Sequence, residues 1–307
     1  GAFSSWIAAS TAYANHGIAM LPFYIYYSMF GFQRVGDLAW AAGDSRARGF
    51  LLGGTAGRTT LNGEGLQHED GHSHIQAGLI PNCVTYDPTF NYELAVILHS
   101  GLQRMYAEQE DVFFYVTVMN ENYGHPAMPE GAEAGILRGL YLLHEGEGAT
   151  VQLMGSGTIL REVAAAADLL RDDFGVSANV WSATSFNELR RDGMAVERWN
   201  RLHPGETPRV PYVAEQLEGH DGPIVASTDY IRAFADQIGP YLDRPMVTLG
   251  TDGFGRSDYR KKLRAFFEVD RHHVVVGALR SLGMDDEAAK AIKDYGIDPE
   301  LEAPWRR

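Results

Sequence analysis

Cysteine is nearly absent. The single Cys83 excludes an internal disulfide and a metal cage built from thiolates, and it fits a reducing, cytoplasmic compartment. Its flanks, Pro81-Asn82-Cys83-Val84-Thr85, read as a strand, so a buried and inert thiol is expected. Basic charge is scarce as well: 26 Lys and Arg face 40 Asp and Glu, for a net charge of −14. That balance argues against a nucleic-acid partner, which needs basic patches, and an acidic substrate would require local positive charge. No apolar run is long enough for a bilayer, because the longest, residues 17–32, is broken by Pro22 and Ser28; no membrane association is expected. No basic n-region with a following apolar stretch is present, so no signal peptide is expected. Nucleotide fingerprints are incomplete: Gly155-Ser156-Gly157 has Leu160 where a third glycine would stand, and Gly53 to Thr60 lacks the Gly-Lys-Ser/Thr ending of a phosphate loop.

What is present is an ordinary soluble composition, 45% apolar and 21% charged, in 307 residues, enough for two separate cores. Residues 17–27 read as a buried strand and 30–48 as a helix, with short strands at 50–55 and 80–86. An amphipathic helix over 93–108 leads to a strong strand at 112–119. Beyond the linker 120–135, rich in proline and glycine, strands are expected at 151–154, 179–184, 223–227 and 246–249. Helical segments are expected at 157–174, 230–238 and 259–267, with one more in the polar tail from 285. Residues 201–211, with three prolines, form an excursion. Alternating strands and helices predict an α/β fold: two domains, each a mostly parallel sheet flanked by helices.

The densest chemistry lies in Thr59 to Gln76, TTLNGEGLQHEDGHSHIQ, where His68, His72, His74, Glu64, Glu69 and Asp70 crowd among glycines. Glycine there disfavours helix and strand, so a loop or helix entry is expected. One reading is a zinc triad of the three histidines, although Gly71 spoils the helix that would align His68 with His72. Another is an organic active site in which imidazoles donate protons near neutral pH. The plain alternative is a solvated polar turn. Tyr24, Tyr26, Tyr27 and Phe30 at the preceding strand end suit a core, or a wall on which a flat heterocycle stacks.

Residues 23–44, 59–74, 120–131, 202–212 and 250–258 (FYIYYSMFGFQRVGDLAWAAGD, TTLNGEGLQHEDGHSH, NENYGHPAMPEG, LHPGETPRVPY and GTDGFGRSD) resemble the homodimeric, decarboxylating first component of bacterial pyruvate dehydrogenase complexes. Glu69-Asp70-Gly71 with His74 is similar to the transketolase signature, within the thiamine-diphosphate superfamily. The resemblance covers essentially the whole chain. It implies a pyrimidine-binding middle domain over 1–130, lacking its first residues, and a transketolase-type C-terminal domain over 131–307. It implies thiamine diphosphate and Mg²⁺ as cofactors of the complete enzyme, with the diphosphate and metal ligands in a domain outside this chain. The glutamate that meets the aminopyrimidine nitrogen would lie just before Gly1, and the fragment alone is expected to be inactive.

Carried over residue by residue, Tyr27 and Phe30 match positions lining the aminopyrimidine pocket, and Glu64 and His68 match positions that handle substrate and intermediate. His74 matches the transketolase-type histidine. The implied catalytic set is His68, Glu64, Tyr27 and His74, with no metal ligand; Arg58, His72, Glu69 and Asp70 receive no role. The implied reaction decarboxylates pyruvate and passes the acetyl group to a lipoyl-bearing acyltransferase, from a homodimer. The alternatives are a non-catalytic dimerisation or assembly module derived from that family, and a histidine-ligated metal hydrolase.

Overall fold

A computed structural model describes all 307 residues, Gly1–Arg307. The chain begins with helices α1 (Ala2–Ser10) and α2 (Ala12–His16), then enters a sheet through β1 (Phe23–Tyr27). Helix α3 (Phe32–Asp44), β2 (Phe50–Gly54), α4 (Ser73–Gly78), β3 (Cys83–Tyr86), α5 (Asn91–Leu102) and β4 (Phe113–Thr117) complete this first unit. Its four strands run in the order β1-β2-β4-β3, all parallel. Parallel strands need crossovers, which is why a helix or long loop follows each one.

The expected strand over 17–27 is corrected in length and in burial. Ladder pairing begins only at Phe23, after Pro22, which has no N–H to donate. β1 is a sheet edge with Phe23, Ile25 and Tyr27 exposed, not a core strand. The sequence could not tell an aromatic strand buried in the chain from one with an open face.

Residues 120–129 have no regular structure, yet they are held in place. Glu121 pairs with Arg161 at 2.9 Å and Arg260 at 3.7 Å, and with Arg264. Helix α6 (Glu133–Arg138) and β5 (Tyr141–His144) follow, and Ala132, Ile136 and Tyr141 pack into the core of the first unit. The remaining elements are β6 (Val151–Gly155), α7 (Leu160–Phe174), β7 (Ala178–Ser182), α8 (Phe186–Leu202), α9 (Tyr212–Gln216) and β8 (Ile224–Ser227). Then come α10 (Ala233–Asp236), β9 (Met246–Leu249), α11 (Arg260–Phe266), α12 (Arg271–Ser281) and α13 (Asp285–Asp294).

The second sheet runs β5-β7-β6-β8-β9, parallel except for antiparallel β5 at its edge. One face packs on α7, α12 and α13 through residues such as Val163, Leu170, Val275 and Leu279. The other packs Met154, Trp181, Phe186, Leu189 and Phe234. Helix α8, which the sequence pattern leaves unassigned, starts at Ser185, whose hydroxyl accepts from the amide of Glu188 at 3.0 Å. The helix expected over 230–238 shrinks to the single turn of α10. No helix is long and apolar enough to cross a membrane.

The two sheets meet where their parallel strands end. Crevices outside the carboxyl ends of parallel strands are the usual ligand positions in α/β proteins. Here the loops after β2, β3, β6, β8 and β9 converge in a buried polar layer. Asp229 accepts from the Thr59 amide at 2.8 Å, the Thr59 hydroxyl at 2.7 Å and the Thr60 hydroxyl at 2.6 Å. The Asp87 amide donates to Thr184 at 2.8 Å, and the Gly157 amide donates to the Asp87 carbonyl at 3.1 Å.

Candidate functional site

Four of the residues singled out in the sequence come together at the open side of the first sheet. Tyr27 ends β1, and one turn of 3₁₀ helix, Ser28–Phe30, swings Phe30 to the same side. The loop after β2 returns His68 to them. Its ring lies edge-on to Tyr27, with centroids 5.6 Å apart, and to Phe30, at 5.1 Å. Tyr27 and Phe30 are themselves 6.2 Å apart at 72°. Edge-to-face contacts of this kind hold ring orientation. Glu64 stands one turn before His68, its Oε2 3.8 Å from Nε2, which is ion-pair range for a protonated imidazole. Nδ1 of His68 is buried without a hydrogen-bond partner. Arg34, which the sequence pattern does not single out, lies over Phe30 at 5.2 Å and brings positive charge to an acidic chain. Its signal was there: Arg34 follows Phe30 by four residues, one helical turn.

His74 stands apart from this wall, at the junction of the two units. It is fully buried at the start of α4, its ring stacked on Phe234 at 4.7 Å and edge-on to Tyr230 at 4.8 Å. Nε2 meets the Thr117 hydroxyl at 3.0 Å. Burial pushes its pKa down to about 3, against a smaller opposing effect of Asp70, so the ring is neutral.

The zinc triad is also set aside. The three imidazoles have different surroundings: aromatic rings for His68, Gln33 and Arg58 for His72, the domain junction for His74. No group of three His, Cys, Asp or Glu side chains is placed to hold a metal ion. Cys83 is buried, and burial pushes its thiol well above the ordinary range.

The residues without an assigned role frame the loop. Asp70 accepts from the amides of His72 and Ser73, each at 3.0 Å, and so opens α4. Gln33 of α3 reaches His72 Nε2 at 2.6 Å. The Gln33 amide nitrogen faces that ring nitrogen, and His72 Nδ1 faces Arg58 Nη2 at 3.5 Å. Burial, more than the neighbouring Arg58, lowers the pKa of His72 and keeps it neutral. Arg58 itself donates to the carbonyls of Thr251, at 2.8 Å, and Gly253 in the second unit. Glu69 is buried and accepts from the Arg256 amide at 2.6 Å. Desolvation pushes its carboxyl up to about 7, although that amide bond pulls the other way.

The Tyr27–Phe30–His68 wall is open to solvent, with Tyr27 44% exposed. Cavities of about 570 Å³ around His272 and Tyr295 and about 630 Å³ around His144 and Ala178 lie elsewhere, in the second unit. What the wall offers is two aromatic rings set edge-on, with one imidazole against them and one carboxylate at the rim.

Comparison with known proteins bears on what that surface serves. Residues 1–126 match the family model of the pyruvate dehydrogenase E1 component middle domain, and residues 139–270 match that of the transketolase-like C-terminal domain. The pyruvate dehydrogenase E1 component of Pseudomonas aeruginosa is 65% identical over 99% of this chain, which spans 36% of that protein. The E1 component of Escherichia coli K12 is 59% identical, again over 99% of this chain and 35% of the relative. The chain thus spans about a third of the length of the curated relatives it matches. Among solved structures, a transketolase from Campylobacter jejuni superposes with a TM-score of 0.69 at 18% identity, over 89% of this chain and 38% of that one. An inactive β4 tetramer of a split-gene transketolase superposes at 0.63 and 14% identity, over 91% of this chain and 80% of that one. At those identities the structures support the fold alone. The identity over nearly every residue, together with both family models, establishes that the chain belongs to the pyruvate dehydrogenase E1 component family, of which it carries the middle and transketolase-like C-terminal regions.

Proposed function

We propose that this chain supplies the aminopyrimidine-facing and substrate-facing half of a thiamine-diphosphate-dependent pyruvate dehydrogenase. The complete enzyme would release carbon dioxide from pyruvate and pass the acetyl group to the lipoyl arm of an acyltransferase partner. The observation that carries this reading is the convergence of Tyr27, Phe30 and His68 with Glu64 on one open wall. That wall fits a flat heterocycle, so Tyr27 and Phe30 would hold the pyrimidine ring. No group of three His, Cys, Asp or Glu side chains is placed for Mg²⁺, and we assign the ligands of the metal and the diphosphate to the part of the relatives that this chain does not span. We keep the division between the pyrimidine-binding and C-terminal domains at residues 130 and 131, and a cytoplasmic location.

When bound, the thiazolium ring supplies the nucleophile and electron sink of decarboxylation. The chain's own part is positioning and proton handling. Tyr27 and Phe30 fix the plane of the ring against the sheet edge. His68 would present a ring N–H toward the oxygen on which negative charge develops, where a preorganised donor acts most strongly. Glu64 Oε2, 3.8 Å from Nε2, can orient the ring, whose Nδ1 is buried without a partner. Arg34 would draw the substrate carboxylate to this rim. The exposed apolar edge of β1 is the surface we assign to self-association as a homodimer, which would also shield the wall from water.

The test is complementation. The chain is mixed with the separately produced N-terminal part of the Pseudomonas aeruginosa relative, thiamine diphosphate, Mg²⁺ and labelled pyruvate. Release of labelled carbon dioxide is expected, with a fall of about a hundredfold or more in His68→Ala. A stable complex that stays inactive would instead identify an assembly module and overturn the reading. The chain alone is expected to release none.

A further inference from the structure

The loop that carries Glu64 and His68 has almost no regular structure of its own. Between β2 and α4 its backbone makes turns, such as the His68 amide to Gly65 at 3.1 Å and the Glu69 amide to Leu66 at 3.4 Å. Gly63 and Gly65 adopt positive φ, at 78° and 89°, a conformation that favours glycine. Its fixed points lie in the second unit, on the loops after β8 and β9. The Gly63 amide donates to Asp258 at 3.2 Å, the Ile231 amide to Gly71 at 2.8 Å, and Glu69 Oε2 accepts from the Arg256 amide at 2.6 Å. A Cβ added at Gly255 would stand 2.6 Å from Glu69 Oε2 and 2.9 Å from the Leu66 Cα, so the two loops touch backbone to backbone there. Arg58 and Asn62 also reach the second unit's backbone, at the Thr251 and Gly253 carbonyls and at the Arg260 amide, but Glu69 does so from the residue next to His68.

We infer that Glu69 is a positioning residue, through which the 250–258 loop of the C-terminal unit holds His68 against Tyr27 and Phe30. This deepens the proposed function, since it presumes that the His68 wall is the working surface. Glu69 touches neither substrate nor ring; it acts through its neighbour. A side chain at 69 needs an acceptor for the Arg256 N–H and enough length to reach it. Its charge is secondary, in keeping with a carboxyl that burial raises to about 7. Glutamine meets both needs and alanine meets neither.

The 307-residue chain itself provides the readouts, so the result is independent of turnover. Amide hydrogen exchange is followed at His68 and Glu69. The ring-current displacement of the His68 Cδ2–H resonance, caused by the edge-on rings of Tyr27 and Phe30, is followed by NMR. In Glu69→Ala both amides should exchange about tenfold faster and the resonance should move toward its free-histidine position, while Glu69→Gln stays within about twofold of the wild type. Gly255→Ala, which keeps the carboxylate but crowds it and the Leu66 backbone from the other side, should reproduce the alanine result and serves if Glu69→Ala fails to fold. Unchanged exchange and resonance in the alanine variants, or equal losses in the glutamine and alanine variants, would overturn the inference. In the complemented enzyme, turnover should rank the variants in the same order. If the loop readouts move and turnover does not, the positioning stands and the assignment of His68 to catalysis falls.

Discussion

At the scale of single residues, the sequence made the polar loop visible but not the partition of its histidines. His68 and His74 are six positions apart with similar neighbours in the chain, yet one lines an open wall and the other is sealed at the domain junction. That difference is tertiary: Phe234 and Tyr230, more than 150 residues later, close over His74. The buried acid Asp87 was likewise unread, since a lone aspartate after a strand carries no pattern. Its Oδ1 accepts from Thr117 at 2.6 Å, and burial pushes its pKa up to about 7, outweighing the hydroxyl donors that favour its charge. A carboxyl whose folded pKa lies above its unfolded value contributes most when both states are protonated, and it loses stability as pH rises from about 4 to about 7. His74 has the opposite slope: depressed to about 3, it loses stability as pH falls below about 6.5. Asp87→Asn removes the first slope and leaves the second. The variant should therefore gain on the wild type as pH rises from 4.5 to 7.5, by about 4 kcal/mol at most. Denaturant titrations of both proteins at the two pH values check this, and a difference independent of pH would contradict it.

At the scale of elements, strands and the longer helices were legible because period and composition agreed, as in β4 and α7. Helix α8 escapes such a reading because charge crowds it. Arg190, Arg191, Glu197, Arg198 and Arg201 obscure the buried face made by Phe186, Leu189 and Gly193. β1 was recognisable as a strand, but its setting was not. Ile18, Met20, Leu21, Phe23, Ile25 and Tyr27 are all exposed along one margin, and an open parallel edge with apolar side chains invites a partner. Ile25 is 69% exposed, so lysine there costs the isolated fold little, within about 0.5 kcal/mol, while placing charge in the middle of that margin. Ile25→Lys should melt with the wild type at low concentration yet shift toward monomer in light scattering of size-separated samples. An unchanged assembly would show that the β1 margin is not the contact.

At the scale of the whole molecule, the two sheets were readable as two units but their seam was not, because it is made of single polar side chains from loops. Asn187 shows how the seam works. From α8 in the second unit, its Nδ2 donates to the His74 carbonyl at 2.8 Å and the Thr85 hydroxyl at 2.6 Å in the first, while Oδ1 accepts from Gln237 at 2.8 Å. The bonds to His74 and Thr85 are buried, so water cannot replace the lost partner there. The Arg58 bonds to the second unit and the Asp87 amide to Thr184 extend the same seam along the strand ends. Units joined by so many desolvated contacts should unfold together, in one calorimetric transition whose van't Hoff and measured enthalpies agree. Asn187→Ala leaves a buried carbonyl and hydroxyl unpaired, at about 1–3 kcal/mol for each group. The loss falls on the seam, leaving both sheet cores intact. The first effect should be separation of one transition into two, the unit holding β1 to β4 melting earlier. With it, the loop between β2 and α4 should lose its anchorage before either sheet melts. A wild-type chain that already shows two transitions would mean that the seam does not couple the units, and that the loop bearing His68 is held by local contacts alone.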